Sequence, residues 1–152
     1  MTKVKVGDLA PEISGTDQHG NPISLKDFRG KKLVLYFYPK DMTPGCTAQA
    51  CNLRDNYELL KAAGYEILGV SVDDAKKHVK FIEKYELPFS LLADTEKKTV
   101  EDYGLWIEKS LYGRKYMGTD RKTFIIDEEG RVERIIEKVK TADHTSQILD
   151  EA

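Results

Sequence analysis

The chain has 152 residues, 40% of them hydrophobic, which suits a single domain with a substantial core. Its 24 basic and 26 acidic residues give a net charge of -2, and this balance, without a basic run, argues against a nucleic-acid-binding protein. No apolar run approaches the length of a membrane-spanning helix, and the first residues lack the apolar core of a secretory signal. We therefore expect one domain over residues 1–152, located in the cytoplasm, with no membrane partner.

Turn-forming residues mark the beginning of the chain. The polar stretch 17–22 contains Gly20 and Pro22 and lies between Ile13 and the segment 23–25. Residues of these types favour a reversal of the chain. The pattern predicts an N-terminal β-hairpin.

Two apolar runs follow, separated by a helical pattern. Segments 33–38 and 67–72 are continuously apolar and rich in β-forming residues, which is typical of strands buried on both faces. Between them the spacing predicts a helix from Pro44 to Ala63, ended by Gly64. A strand, a helix and a strand in this order predict a parallel pair.

The second half continues the alternation. The predicted elements are a helix over 74–85 stopped by Pro88, a strand over 89–93, a short helix capped by Asp94 and ending before Gly104, strands over 123–126 and 132–136 joined by 127–130 as an antiparallel hairpin, and a last helix from Asp143 to the end. The fold class is therefore α/β, with a mixed central sheet and helices on both faces.

An aromatic-rich segment without a regular period lies between these elements. It comprises 105–107 together with Tyr112, Tyr116 and Met117. Because tyrosine and tryptophan bury much area, filling of the core is the favoured interpretation. A substrate entrance and a subunit contact are the alternatives.

The two cysteines, Cys46 and Cys51, are the most informative residues of the chain. Thr43 suits the N-cap of the predicted helix and Pro44 its first position, so that Cys46 falls in the first turn. Unpaired backbone N–H groups and the positive end of the helix dipole favour a thiolate there, which is the reactive form. Cys46 is therefore a candidate nucleophile, although a small buried hydrophobe is the ordinary role of such a residue.

The spacing of the cysteines constrains what they can do together. On an intact helix their Cα atoms would lie about 8–9 Å apart, whereas a disulfide requires roughly 7 Å or less. A Cys46–Cys51 bond therefore predicts local unwinding linked to oxidation. No metal site is expected, because His19, His78 and His144 are scattered and two thiols lack the usual partners.

The motif Pro39-x-x-x-Thr43-x-x-Cys46 resembles the active-site motif of peroxiredoxins, and the stretch 43–51 with 53–55 resembles their Q-type subfamily, also called bacterioferritin comigratory protein. The resemblance extends from 7–11 to 120–127. It implies a thioredoxin-like fold with an N-terminal hairpin extension, and a thiol peroxidase that reduces hydrogen peroxide and organic hydroperoxides without metal, haem or another cofactor.

The resemblance also implies residue roles. Cys46 would be the peroxidatic cysteine, Cys51 the resolving cysteine, Thr43 a hydroxyl partner, Pro39 a shield of the pocket and Arg121 the cation. An intramolecular two-cysteine cycle recycled by thioredoxin is implied as well. From the residues alone, Thr43 could equally serve only as a cap, and Arg121 could form a surface ion pair.

One position departs from the pattern, and two other functions compete with the peroxidase. Many peroxiredoxins have Glu where this chain has Gln49, so the positioning of Arg121 by an uncharged side chain is an open question. A dithiol–disulfide oxidoreductase is disfavoured because the chain has no C-x-x-C motif. A non-catalytic redox sensor or holdase would use the same unwinding. A monomer and a weak homodimer are both compatible with the sequence.

Overall fold

The computed structural model describes residues 4–149. Its strands are β1 (Lys32–Phe37), β2 (Tyr65–Ser71), β3 (Ser90–Ala93), β4 (Trp106–Leu111), β5 (Arg114–Thr119), β6 (Lys122–Ile126) and β7 (Val132–Ile136). Its α-helices are α1 (Pro44–Asp55), α2 (Tyr57–Ala62), α3 (Ala75–Tyr85), α4 (Lys98–Asp102) and α5 (His144–Leu149), with 3-10 turns at Leu25–Phe28 and Thr141–Asp143. The part of the last predicted helix beyond Leu149 lies outside the described residues.

A mixed five-stranded sheet forms the centre of the molecule, in the order β3-β2-β1-β6-β7. β1 pairs with β2 in parallel, as the strand–helix–strand pattern predicts, and β2 pairs with β3 in parallel. β6 is antiparallel to both β1 and β7, so the predicted hairpin over 123–136 is confirmed. The carboxyl end of β1 therefore lies beside the amino end of β6, with Phe37 opposite Lys122.

Successive side chains along β1 point to opposite faces of the sheet, so the core has two layers. Leu33, Leu35 and Phe37 pack on one face of the sheet, with the helix α4 and the N-terminal segment. Val34, Tyr36 and Tyr38 pack on the other. Helices α1, α2, α3 and α5 all cover this second face, where their buried members include Cys46, Leu53, Leu60, Phe81 and Ile148. The expected helices on both faces are thus present but unequally distributed.

The helix predicted from Pro44 to Ala63 is two helices, because the chain breaks at Asn56. Asn56 has φ -114° and ψ 14°, and its side-chain amide donates to the Asn52 carbonyl at 2.8 Å. The Asn56 backbone N–H turns instead to the Leu53 carbonyl at 3.3 Å. A side chain that takes the carbonyl of the preceding turn competes with the helical ladder.

The N-terminal hairpin is reduced to a turn. Thr16 and Pro22 form a single antiparallel bridge, and the Asp17 carboxylate accepts from the backbone N–H groups of His19 and Asn21 at 2.8 and 3.0 Å. Thr16 also bridges to Ala93. The extension therefore lies against the edge strand β3 without forming a ladder of its own.

Asp94 does not cap α4 as predicted, because Lys97 occupies the N-cap position with φ 64°. The Asp94 carboxylate nevertheless binds this helix end, accepting from the N–H groups of Thr99 at 3.2 Å and Val100 at 2.8 Å. Burial raises the pKa of this carboxyl, while these two hydrogen bonds act in the opposite direction.

The aromatic-rich segment forms a two-stranded sheet, β4–β5, and core filling is wrong for most of it. Only Leu105 is buried in the core, whereas Tyr112 is 99% exposed and Tyr116 and Met117 are about half exposed. Tyr112 and Gly113 both have positive φ at the tip, which is the geometry of a tight two-residue hairpin turn.

Candidate active site

Cys46 lies in the first turn of α1, with its side chain 1% exposed. The first intrahelical bond of α1 runs from the Thr47 N–H to the Thr43 carbonyl at 2.9 Å. The N–H groups of Gly45 and Cys46 precede it and so have no acceptor within the helix. The thiol therefore lies beside free backbone donors, as the sequence predicts.

Arg121 brings a permanent positive charge to this thiol. It follows β5 and directly precedes β6, so it lies at the amino end of β6, beside the carboxyl end of β1. Its Nη2 lies 3.2 Å from Cys46 Sγ, and its Nη1 donates to Gln49 Oε1 at 2.7 Å. The structure therefore brings Arg121 to Cys46, and the alternative of a surface ion pair is wrong. A guanidinium at this distance stabilises a thiolate and any oxyanion formed beside it.

Gly45 makes this approach possible. A Cβ at residue 45 would lie 3.3 Å from Arg121 Nη2, which is tighter than an ordinary van der Waals contact. The absence of a side chain lets the guanidinium lie against the helix backbone and reach the sulfur.

Thr43 occupies the N-cap position of α1 with an extended backbone, but its side chain makes no bond to the helix. Its hydroxyl donates instead to the Lys40 carbonyl at 2.8 Å. The role of a simple cap is therefore wrong. With its hydrogen committed to Lys40, the Thr43 oxygen has lone pairs available to accept a hydrogen bond from a peroxide.

Gln49 positions Arg121 although its side chain carries no charge. It is fully buried one turn after Cys46, and its oxygen still holds Arg121. Among the described residues its Nε2 has no partner. An amide can therefore position the guanidinium, and it leaves a buried donor near the thiol.

Tyr36 and Lys109 interact electrostatically with Cys46, and sequence reasoning missed both. Burial, followed by the charges of Asp41 and Cys46, raises the pKa of Tyr36 well above its usual value, so its hydroxyl remains a neutral donor. That hydroxyl is buried with no partner among residues 4–149. Burial lowers the pKa of Lys109, although the nearby carboxylate of Asp120 opposes the shift and Arg121 reinforces it. Tyr36 lies in the stretch 36–39, which is part of the family resemblance, but it was not named as a site residue, and Lys109 lies in no motif.

Cys51 lies in the same continuous helix, half-buried, and both thiols are free. Arg54, one turn later, has its pKa raised chiefly by its hydrogen bond to Asp55, and the charge of Cys51 contributes. The predicted difference in phase is confirmed, since Cys46 faces the core and Cys51 does not. The two sulfurs can meet only if part of α1 unwinds.

The remaining predicted residues take different places. Pro39 lies half-buried in the segment between β1 and α1, and its expected shielding of the pocket stays a prediction. His78 and His144 are buried in separate hydrogen-bonded pairs, whereas His19 lies in the N-terminal turn. Within residues 4–149 no group of three metal-binding side chains could hold an ion, and no helix is long and apolar enough to cross a membrane.

Comparison with known proteins agrees with this geometry. The model of the AhpC/TSA family matches residues 6–135. Peroxiredoxin Bcp of Escherichia coli (strain K12) is 45% identical over 150 residues, which cover 99% of this chain and 96% of that protein. The chain belongs to the AhpC/TSA family as a Q-type peroxiredoxin. Peroxiredoxin Bcp of Bacillus subtilis (strain 168) is 47% identical over 146 residues, covering 96% of this peroxiredoxin and 93% of the relative.

Solved structures give the same result for the fold. Peroxiredoxin Q of Xanthomonas campestris superposes with a TM-score of 0.85 at 32% identity, covering 99% of this chain and 95% of that chain. Peroxidoxin BcpB of Mycobacterium tuberculosis gives a TM-score of 0.84 at 32% identity, with coverage of 97% and 95%. The thioredoxin-like peroxiredoxin fold predicted from the sequence is therefore confirmed.

Proposed function

We propose that this peroxiredoxin reduces hydrogen peroxide and organic hydroperoxides through a Cys46 sulfenic acid and an intramolecular Cys46–Cys51 disulfide, with thioredoxin as reductant. The observation that carries the proposal is the contact of 3.2 Å between Arg121 Nη2 and Cys46 Sγ at the start of α1. Family membership supports thiol peroxidase activity. A Xanthomonas campestris bacterioferritin comigratory protein with a TM-score of 0.85 is described as reducing alkyl peroxides, which supports the inclusion of organic substrates.

The first step is displacement at oxygen. The Cys46 thiolate attacks one peroxide oxygen, a sulfur–oxygen bond forms, and the oxygen–oxygen bond breaks. Its electron pair leaves with the distal oxygen, which takes up a proton to become water or an alcohol. Arg121 stabilises the charge as it moves from sulfur to the leaving oxygen, and the free N–H groups of Gly45 and Cys46 can bind peroxide oxygens.

The second step forms the disulfide. The Cys51 sulfur attacks the Cys46 sulfenic acid, and the hydroxyl leaves as water. Because both cysteines lie in one continuous helix, this step requires α1 to unwind locally. A dithiol such as that of thioredoxin then reduces the disulfide by exchange and is itself oxidised. Far-UV circular dichroism should show less helix in the oxidised protein, and identical spectra would contradict the unwinding.

The decisive experiment follows free thiols after one equivalent of hydrogen peroxide is mixed with reduced protein. Wild type and Cys51→Ser should lose thiol rapidly, whereas Cys46→Ser should not. Arg121→Met should slow the reaction of Cys46 while leaving a folded protein. Slow and similar loss in all four proteins would contradict the peroxidase.

The same samples discriminate the competing functions. Reduction of insulin disulfides without peroxide turnover would indicate a dithiol–disulfide oxidoreductase. Oxidation in a single stoichiometric step, without turnover in the presence of thioredoxin, would indicate a redox sensor. We further propose a cytoplasmic protein that is a monomer or a weak homodimer, which gel filtration at several concentrations tests.

A further inference from the structure

A buried acid–histidine pair lies behind the segment that leads into the active site. This segment, residues 38–43, is called here the peroxidatic loop, and it joins β1 to α1. Asp41 is 5% exposed and His78 of α3 is fully buried. His78 Nδ1 lies 2.6 Å from Asp41 Oδ2. The chemistry described above uses neither residue.

Each hydrogen-bonding atom of the two side chains has a partner. His78 Nε2 lies 3.0 Å from the Leu92 carbonyl, which can only accept, so this nitrogen carries a hydrogen. His78 Nδ1 and Asp41 Oδ2 share a further proton between them. The Tyr38 hydroxyl donates to Asp41 Oδ1 at 2.6 Å. Burial raises the pKa of Tyr38 well above its usual value, and Asp41 adds to this, so the phenol remains a donor.

The backbone of Asp41 is tied down as well. Its N–H donates to Asp73 Oδ2 at 2.7 Å, and the same carboxylate oxygen accepts from the Ser71 hydroxyl at 2.8 Å. Ser71 ends strand β2. Asp41 is therefore attached both to the central sheet and, through His78, to helix α3.

The residues on either side of Asp41 explain why an anchor is needed. Met42 has φ 70°, in the left-handed region that an ordinary side chain rarely adopts. Lys40 supplies the carbonyl that binds the Thr43 hydroxyl. An unfavourable conformation persists only where surrounding contacts hold it. Asp41 lies between Lys40 and Met42, and its three hydrogen bonds, to Tyr38, Asp73 and His78, hold this part of the loop.

We propose that the Asp41–His78 pair is a positioning device for the peroxidatic loop, which holds Thr43 and the first turn of α1 in the geometry that peroxide attack requires. The hydrogen bonds of the His78 ring go to Asp41 and to the Leu92 carbonyl, so His78 acts on the active site through Asp41. The proposal rests on the peroxidase function, because it concerns the alignment of peroxide with the thiol.

The test compares two reactions of the same thiol. Reaction with hydrogen peroxide depends on the loop, whereas alkylation by iodoacetamide reports only the reactivity and access of Cys46. His78→Phe and Asp41→Ala should slow the peroxide reaction by about 100-fold, the effect of a misplacement of about 1 Å, and change alkylation by less than about threefold.

Conservative variants should restore the rate. His78→Asn keeps a donor near the place of Nδ1, and Asp41→Asn can still accept from Tyr38 and donate to a neutral His78. Both should recover at least about tenfold of the lost peroxide rate. Asp94→Asn is the matched control, because it removes a buried carboxylate that accepts from the backbone N–H groups of Thr99 and Val100 in helix α4. It should keep the wild-type peroxide rate.

The outcomes separate the two proposals. If wild type itself reacts slowly with peroxide, the proposed function fails. If wild type is fast and folded His78→Phe or Asp41→Ala is equally fast, only the positioning role is overturned. A parallel fall of the peroxide and alkylation rates, without recovery in the conservative variants, would also overturn it, since that pattern indicates general loss of structure.

Discussion

Replacement of Gly45 by alanine should make this protein more stable and less active at the same time. Alanine is preferred over glycine in helices, so the substitution should raise the free energy of unfolding by up to about 1 kcal/mol. The added Cβ would lie 3.3 Å from Arg121 Nη2, the atom that lies 3.2 Å from Cys46 Sγ. The guanidinium must therefore give way by a few tenths of an ångström.

The size of the effect follows from this displacement. If the distance from nitrogen to sulfur grows by about 0.4 Å, Coulomb's law at an effective dielectric constant of about 20 gives a loss of about 0.6 kcal/mol for a thiolate and a guanidinium. Such a loss corresponds to about a threefold fall in rate. Loss of the hydrogen bond's alignment would enlarge it.

The assay measures the second-order rate of Cys46 oxidation by hydrogen peroxide beside urea unfolding of the same samples. Ala48→Gly is the control, since it changes helix propensity in α1 in the opposite sense, at a half-buried position. It should lower stability and keep the wild-type rate of peroxide attack. A Gly45→Ala protein that reacts as fast as wild type would refute the reasoning that Gly45 exists to admit Arg121.

Three further predictions concern the other side of α1 and the second cysteine. Burial lowers the pKa of His144, so below about pH 6.5 the unfolded chain binds a proton that the folded protein does not. The free energy of unfolding, at its full value above that pH, should therefore fall by up to about 1.4 kcal/mol for each pH unit below it. Urea unfolding of His144→Gln at the same pH values should show a shallower fall. The Asn52 side chain donates to the Ala142 carbonyl at 3.1 Å and accepts from the Thr145 N–H at 2.8 Å. Asn52→Ala should lower the free energy of unfolding by about 1–3 kcal/mol and speed hydrogen exchange in α5. The control Asn21→Ala, at an exposed position, should do neither. The proposed unwinding would delay the disulfide, so high peroxide should yield sulfinic acid at Cys46 in mass spectra, and more of it in Cys51→Ser. Absence of sulfinic acid at every dose would contradict slow resolution.

Local signals in the sequence were enough for the strands of the central sheet. Continuous apolar runs placed β1 within one residue at each end, and the bounds of β7 agree with the prediction. The division between α1 and α2 was missed because Tyr57 and Leu60 continue the apolar spacing across Asn56. The apolar pattern indicates which side chains face the core, whereas the break depends on a hydrogen bond from the Asn56 side-chain amide to the Asn52 carbonyl.

In the active site, too, the sequence predicts local contacts but not contacts between distant residues. Thr43 and Cys46 are three residues apart, so their proximity follows from helix geometry. Arg121 came from the family resemblance, since no spacing rule links positions 75 residues apart. The Asp41–His78 pair could not be predicted, because its two members meet only after β2 and α3 have packed. The β4–β5 sheet was missed because its turn, Tyr112-Gly113, is not one of the common hairpin dipeptides.

The break at Asn56 gives α1 a stability of its own. α2 can keep Leu60 in the core while the twelve residues of α1 open, because the two helices share no continuous hydrogen-bond ladder across the break. Local openings of this kind have free energies well below that of global unfolding. Disulfide formation should therefore be governed by the opening equilibrium of one short segment. Substitutions that strengthen the sheet should leave turnover unchanged, whereas those that strengthen α1 should slow it.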